Sequence, residues 1–175
     1  MNALLLAAVV AGYLVGALSP ATLAARRGGI DLRGIGSGNP GASNVGRALG
    51  RRTGVVVAVL DVLKGLLPAA GFAAVLGHVT SPFLRGRGGK GVATTAGAVL
   101  GSQPLWAPVL VLVWLVVLGV SRWIALASMT AAVSLLAVAL VLQEDRVWAA
   151  ALALVVLVRH RANVVKALAL RRGDG

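Results

Sequence analysis

Between Leu105 and Leu142 a single charged residue, Arg122, interrupts the chain. A run of that length and polarity cannot present a solvated face, so it reads as two apolar spans, Leu105–Val120 and Trp123–Leu142, around one charged turn. The whole chain follows suit. Residues of the AVILMFWYC set make up 58% and glycine adds 23 positions, while charged residues are only 13% against a usual figure of about 25%. The apolar surplus must face lipid. The first run, MNALLLAAVVAGYLVGALSP, is followed rather than preceded by its basic residues Arg26 and Arg27, the order of a retained span with its N-terminus outside. Further apolar stretches are Val55–Leu60, Leu66–Leu76, Val92–Leu100 and Val147–Val158. Several fall short of the ~20 residues that cross a ~30 Å hydrocarbon core. Val55–Leu76 reads as two short helices or one long, broken one.

The sparse charges are one-sided: 17 Lys+Arg against 5 Asp+Glu, a net charge of +12. Arg26, Arg27, Arg33, Arg47, Arg51 and Arg52 lie in one inter-span region. Arg85, Arg87 and Lys90 lie in a second, Arg122 in a third, and Arg159, Arg161, Lys166, Arg171 and Arg172 in the tail. The positive-inside rule places all four in the cytoplasm. The connections near Pro68, near Gln103-Pro104 and at Gln143–Arg146 carry almost no net charge and fall on the other side. The expected fold is an all-α integral membrane protein, one polytopic domain over residues 1–175. It has about seven transmembrane helices, some short, with the N-terminus outside and the C-terminus cytoplasmic. No internal repeat supports a transporter built on symmetry. Four Trp, one Tyr and two Phe, none among the basic clusters, give no stacking platform for nucleic acid. Without cysteine there is no thiolate chemistry, disulfide or Cys-based zinc site.

Polar residues gather in four places. Asp31–Gly50 is rich in Gly, Ser and Asn, chain that can turn its amides toward an anion, and Arg47 adds a bidentate donor for phosphate. Gly36–Gly41 matches G-x-G-x-x-G in form only, since no strand precedes it. A flexible basic linker would not need Ser37, Asn39, Ser43 and Asn44 together. Gly77–Gly97 contains Gly88-Gly89-Lys90-Gly91, a turn that sets one ammonium at the start of an apolar helix, where free N–H groups favour an oxyanion. It is not a Walker A loop, because Gly91 follows the lysine and Leu84 stands at the first glycine position. Arg85 and Arg87 fit a topology anchor. Asp61 and Lys64 share a helix face within apolar chain, either as a structural pair or as support for a cytoplasmic site. His160 and Asn163 also share a face, and neither is needed for anchoring.

Taken in order, Gly36–Arg47, Asp61-x-x-Lys64-Gly65, Gly77-His78 with Gly88–Thr94, and His160-Arg161-x-Asn163 resemble the motifs of the bacterial acyl-phosphate:glycerol-3-phosphate acyltransferases, the PlsY family. The resemblance spans most of the chain. It implies an enzyme of the bacterial cytoplasmic (inner) membrane, with its active site facing the cytoplasm. The implied reaction moves a fatty acyl group from acyl phosphate to the sn-1 hydroxyl of glycerol 3-phosphate. The products would be lysophosphatidic acid and phosphate, in the first acylation of phospholipid biosynthesis. By the same resemblance Ser37, Arg47, Lys90, His160 and Asn163 are catalytic. Gly36, Gly38, Asn39, Gly41, Asn44, His78, Gly88, Gly89 and Ser128 bind substrate or phosphate, and Asp61 and Lys64 support. No metal or cofactor is implied, and the partners are the two substrates and the bilayer; the oligomeric state is open, a monomer included. The chain departs from the family pattern in Ser43 for Thr, Pro82 one residue late, Gly86 for an aromatic, Ala125 for a serine and Lys166 for Arg. The closing Gly-Thr-Glu is absent.

An acyl phosphate already carries a good leaving group, so the site needs mainly to hold two anions together, through orientation and electrostatics. The attacking hydroxyl must lose a proton, to His78, to His160 or to a substrate phosphate oxygen. No Ser-His-Asp order and no thiol is present, and Phe83 and Val165 stand where a His-x4-Asp acyltransferase has its Asp. Direct transfer without an acyl-enzyme is expected. An anion transporter would need polar residues on both sides of the midplane. A passive anionic-lipid scaffold would not need Ser37, Asn39, Asn44 and Asn163.

Overall fold

The computed structural model describes residues 2–67 and 69–172. Pro68, where a connection is expected, and the closing residues 173–175 lie outside them, as do the side chains of Arg171 and Arg172. The described residues form α-helices and two short 3-10 turns, with no strand among them. The chain divides into two compact units, Met1–Pro104 and Leu105–Gly175.

In the first unit α1 (Ala3–Ala17) ends at Leu18, and α2 (Pro20–Arg27) restarts on Ser19, whose hydroxyl accepts from Thr22 N–H at 3.1 Å with Pro20 in the first turn. A glycine-rich loop leads to α3 (Ala42–Leu49), and Gly50, at φ +89°, turns the chain directly into α4 (Arg51–Gly65). After a break come α5 (Gly71–Thr80) and α6 (Val92–Ser102). The stretch Val55–Leu76 is therefore two helices. Helices α1 and α5 pack together, as do α4 and α6. Both contacts run through glycine at backbone distance: a Cβ on Gly16 would fall on Ala74 O, and one on Gly97 on Val62 O. Lipid provides no hydrophobic drive between helices, so such close approach supplies the attraction instead. Ala21, Ala25, Leu32, Val45 and Val57 form a buried cluster that anchors the loop between α2 and α3.

The second unit holds α7 (Ala107–Ser121), α8 (Ile124–Leu142), α9 (Arg146–Arg159) and α10 (Arg161–Arg172). Helix α7 packs on α8, and α8 on α9. Arg122 and Gln143 close α7 and α8 in the left-handed region, each donating its N–H back to the carbonyl four residues earlier. No residue of α7 is buried, and Leu112, Leu115, Val116 and Val120 stand exposed on it. That surface is built for lipid. Among the described residues, two segments are long and apolar enough to cross a bilayer alone, Ala3–Arg27 at mean hydropathy 2.0 and Ile124–Leu142 at 2.4. Helices α9 and α10, bent by 44°, make a third if they act as one span. Helices α5, α6 and α7 are apolar but shorter.

Candidate active site

The loop after α2 is shaped by one side chain. Asn44, in the first turns of α3 and 1% exposed, donates through Nδ2 to Leu32 O at 3.2 Å and Ile35 O at 2.9 Å. Its Oδ1 accepts from Ser37 N–H at 3.3 Å and from Arg47 Nη2 at 2.9 Å. Two donors and two lone pairs exhaust an amide. In this arrangement Asn44 is a clasp on the loop. What it clasps is the expected anion loop. Gly36 and Gly38 take φ +55° and +65°, and a Cβ on Gly36 would lie 2.6 Å from Asn44 Oδ1 and 3.2 Å from Arg47 Nε. The guanidinium is thus held against the Gly36 backbone, with Ser37 and Arg47 exposed and Asn39 half-buried. A Cβ on Gly41 would meet Asn39 Nδ2 at 2.8 Å. Gly41 also caps α3, accepting from Asn44 and Val45 N–H and leaving the amides of Ala42 and Ser43 without an intrahelical acceptor.

Gly91, at φ +82°, starts α6, whose first intrahelical bond runs from Thr95 N–H to Gly91 O at 2.7 Å. The amides of Val92, Ala93 and Thr94 therefore have no intrahelical acceptor beside half-buried Lys90. Gly88 and Gly89 are needed for a packing reason. A Cβ on Gly88 would fall on His78 O, and one on Gly89 on His78 Nε2, while Gly89 N–H donates to His78 O at 3.1 Å. The turn lies flush on the end of α5.

His78, 7% exposed, contacts Lys64 Nζ through Nδ1 at 3.1 Å. An ammonium only donates, so Nδ1 accepts and the ring proton sits on Nε2, toward Gly89. The same Nδ1 lies 3.6 Å from Asp61 Oδ1. Lys64 pairs with Asp61 at 2.8 Å, as their spacing predicts, and donates to Gly16 O at 3.1 Å and Leu18 O at 2.7 Å. Ser81, which the sequence reading passed over, donates to Ala17 O at 2.7 Å.

In the second unit His160 ends α9, 2% exposed, with Nδ1 2.8 Å from Val156 O. A carbonyl only accepts, so Nδ1 carries a proton. Asn163 N–H donates to His160 O at 2.8 Å, and Asn163 lines a groove of about 280 Å³ with Trp123, Lys166 and Ala167. Ser128 stands between two helices of this unit. Its hydroxyl, in a residue 2% exposed, donates to Ile124 O at 2.8 Å and accepts from Trp114 Nε1 at 3.2 Å, tying α8 to α7.

The family model for glycerol-3-phosphate acyltransferase matches residues 6–170. The chain belongs to the glycerol-3-phosphate acyltransferase family. It is 39% identical to the glycerol-3-phosphate acyltransferase of Aquifex aeolicus over 96% of each chain. It is 38% identical to that of Geotalea daltonii, covering 89% of this chain and 90% of the relative. The crystal structure of PlsY, an integral membrane glycerol 3-phosphate acyltransferase, in its glycerol 3-phosphate form matches with a TM-score of 0.91 at 36% identity, over 95% of this chain and 93% of that one. The lysophosphatidic acid form matches with a TM-score of 0.88 at 35% identity over the same shares. The acyltransferase is thus an all-helical integral membrane protein.

Proposed function

We propose that this acyltransferase takes its acyl group from acyl phosphate and places it on the sn-1 hydroxyl of glycerol 3-phosphate. The hydroxyl oxygen attacks the acyl carbonyl, the bond from that carbon to the phosphate oxygen breaks, and phosphate leaves with the charge. The products are lysophosphatidic acid and phosphate. The observation that carries this reading is the Asn44 clasp, which holds Arg47 against Gly36 and spends four hydrogen bonds to do so. A preformed guanidinium one turn along from the unbonded first amides of α3, those of Ala42 and Ser43, suits a phosphate in transfer better than a resting surface charge. The names of the solved relatives, a glycerol 3-phosphate form and a lysophosphatidic acid form, support the acceptor and the product.

In this reading Ser37, Asn39, Arg47 and the first amides of α3 receive a phosphate, and Gly36, Gly38 and Gly41 shape the loop that presents them. Lys90, with the first amides of α6, compensates a second negative charge. His160 and Asn163 recognise glycerol 3-phosphate. Asn44, Ser128, Asp61, Lys64, Gly88 and Gly89 hold these groups in place. The chain acts as one domain of the bacterial cytoplasmic membrane, with about seven crossings, its N-terminus outside and its site open to the cytoplasm. The basic residues of the loops and tail support that orientation. Transfer is direct. Purified protein given glycerol 3-phosphate should form lysophosphatidic acid from palmitoyl phosphate and not from palmitoyl-CoA or acyl carrier protein; equal use of the three donors would refute the donor assignment. A radiolabelled acyl-protein trapped in a single turnover would refute direct transfer. The pH profile of His160→Gln assigns the proton: loss of the acid limb gives it to Nε2, and an unmoved profile to a phosphate oxygen.

A further inference from the structure

The cluster around Lys64 lies behind the residues assigned to substrate, yet it spends two buried charges. Asp61 is 2% and Lys64 8% exposed. Desolvating such a pair costs several kcal/mol per ion, and replacing it with apolar side chains is often neutral or stabilising. At the end of α1 the Ser81 hydroxyl meets Ala17 O, which leaves Gly16 O and Leu18 O to Lys64. What an ammonium can do, and a hydroxyl cannot, is bind several acceptors at once. Lys64 reaches Gly16 O and Leu18 O at the break between α1 and α2, Asp61 on α4, and Nδ1 of His78 on α5. The ring of His78 passes the constraint on, because its Nε2 bears on Gly89 and its carbonyl accepts the Gly89 N–H. Gly89 precedes Lys90.

We propose that Asp61, Lys64 and His78 are positioning residues that set the Gly88–Lys90 turn against the end of α5 and the break between α1 and α2. Their role is to fix where the Lys90 ammonium and the first amides of α6 stand when substrate arrives. The inference rests on the reading of Lys90 as a phosphate-binding group. Nothing in it requires the three residues to touch substrate or to move a proton.

The test uses the full chain in detergent with palmitoyl phosphate and varied glycerol 3-phosphate. The variants are Lys90→Ala, His78→Asn, His78→Ala, Gly89→Ala and His78→Ala/Gly89→Ala, each checked for a single size-exclusion peak and a cooperative melt. The oxygen of Asn can stand where Nδ1 stands, so His78→Asn keeps the Lys64 contact and loses the ring against Gly89. Its melting temperature should stay near wild type, with KM for glycerol 3-phosphate raised about tenfold or more and the pH profile unmoved. Gly89→Ala alone should be crippled, because its methyl falls on the imidazole. The double variant, with the ring gone, should return to the level of His78→Ala. That recovery shows that the ring bears on Gly89, and the KM of His78→Asn reads the placement of Lys90. Wild-type KM in His78→Asn, a shifted pH profile, or a double variant whose losses multiply would overturn the proposal. Full activity in Lys90→Ala would instead show that the reading of Lys90 had failed. Loss in Lys90→Ala beside wild-type behaviour in His78→Asn would sink the positioning role alone.

Discussion

Substituting Asn44 tests the clasp that organises the anion loop. Asn44→Ala removes four hydrogen bonds, each worth about 1 kcal/mol net, for a gross loss of about 4 kcal/mol. The bonds to Ile35 O, Ser37 N–H and Arg47 are only part-buried, so water recovers much of their share. The bond to Leu32 O is buried, and leaving that carbonyl unmet costs about 1–3 kcal/mol. The residue of the sum is a local destabilisation of about 2–3 kcal/mol, enough to open residues 31–41 without unfolding the helices around them. Asn44→Asp should be no milder. It keeps the two accepting contacts but turns a carboxylate oxygen toward two carbonyl oxygens. Both variants should become susceptible to limited proteolysis within residues 31–41, and kcat/KM for palmitoyl phosphate should fall about 10- to 100-fold as Arg47 loses its seat. If Asn44 bound phosphate directly, KM would rise with the loop still protected. That result, or wild-type turnover in Asn44→Asp, would refute the clasp.

Other substitutions bear on separate links of the argument. Lys90→Ala and Arg47→Ala should each lose most activity with unchanged melting, measured as lysophosphatidic acid formed per minute. Ser128→Ala should lower the melting temperature by the loss of roughly 1 kcal/mol while leaving KM for both substrates near wild type, since the hydroxyl is spent on Ile124 and Trp114. A raised KM there would return Ser128 to the substrate. Gly16→Val should abolish folded protein on size exclusion, because its Cβ would fall on Ala74 O, backbone that cannot give way.

What could be read from the sequence follows from how far each signal reaches along the chain. Apolar runs and the single charge at Arg122 mark lipid-facing helices because burial in a bilayer is decided residue by residue. The Asp61–Lys64 pair was legible because three residues of helix bring two side chains together whatever surrounds them. The partners that give the pair its meaning were not legible. Gly16, Leu18 and His78 come to Lys64 only once α1, α4 and α5 have packed, at separations of 48, 46 and 14 residues. Spacing carries no information at that range.

The same limit applies to Asn44 and Ser128, whose partners in the fold the sequence does not show. A motif marks positions where a residue type is required, and binding a ligand is one requirement among several. An Asn that satisfies four backbone and side-chain groups is as constrained as one that holds phosphate, and the sequence shows the constraint without its cause. The glycines divide similarly. Gly36 and Gly38 are required by positive φ in the loop that leads into α3, whereas Gly88 and Gly89 are required because α5 leaves no space for a Cβ. Two glycine-rich turns that look alike on paper therefore do different work. The first folds its backbone onto itself and Asn44 to seat Arg47 before α3; the second lies flat against a buried histidine, so that the residue carried at its end, Lys90, is placed by what lies behind it.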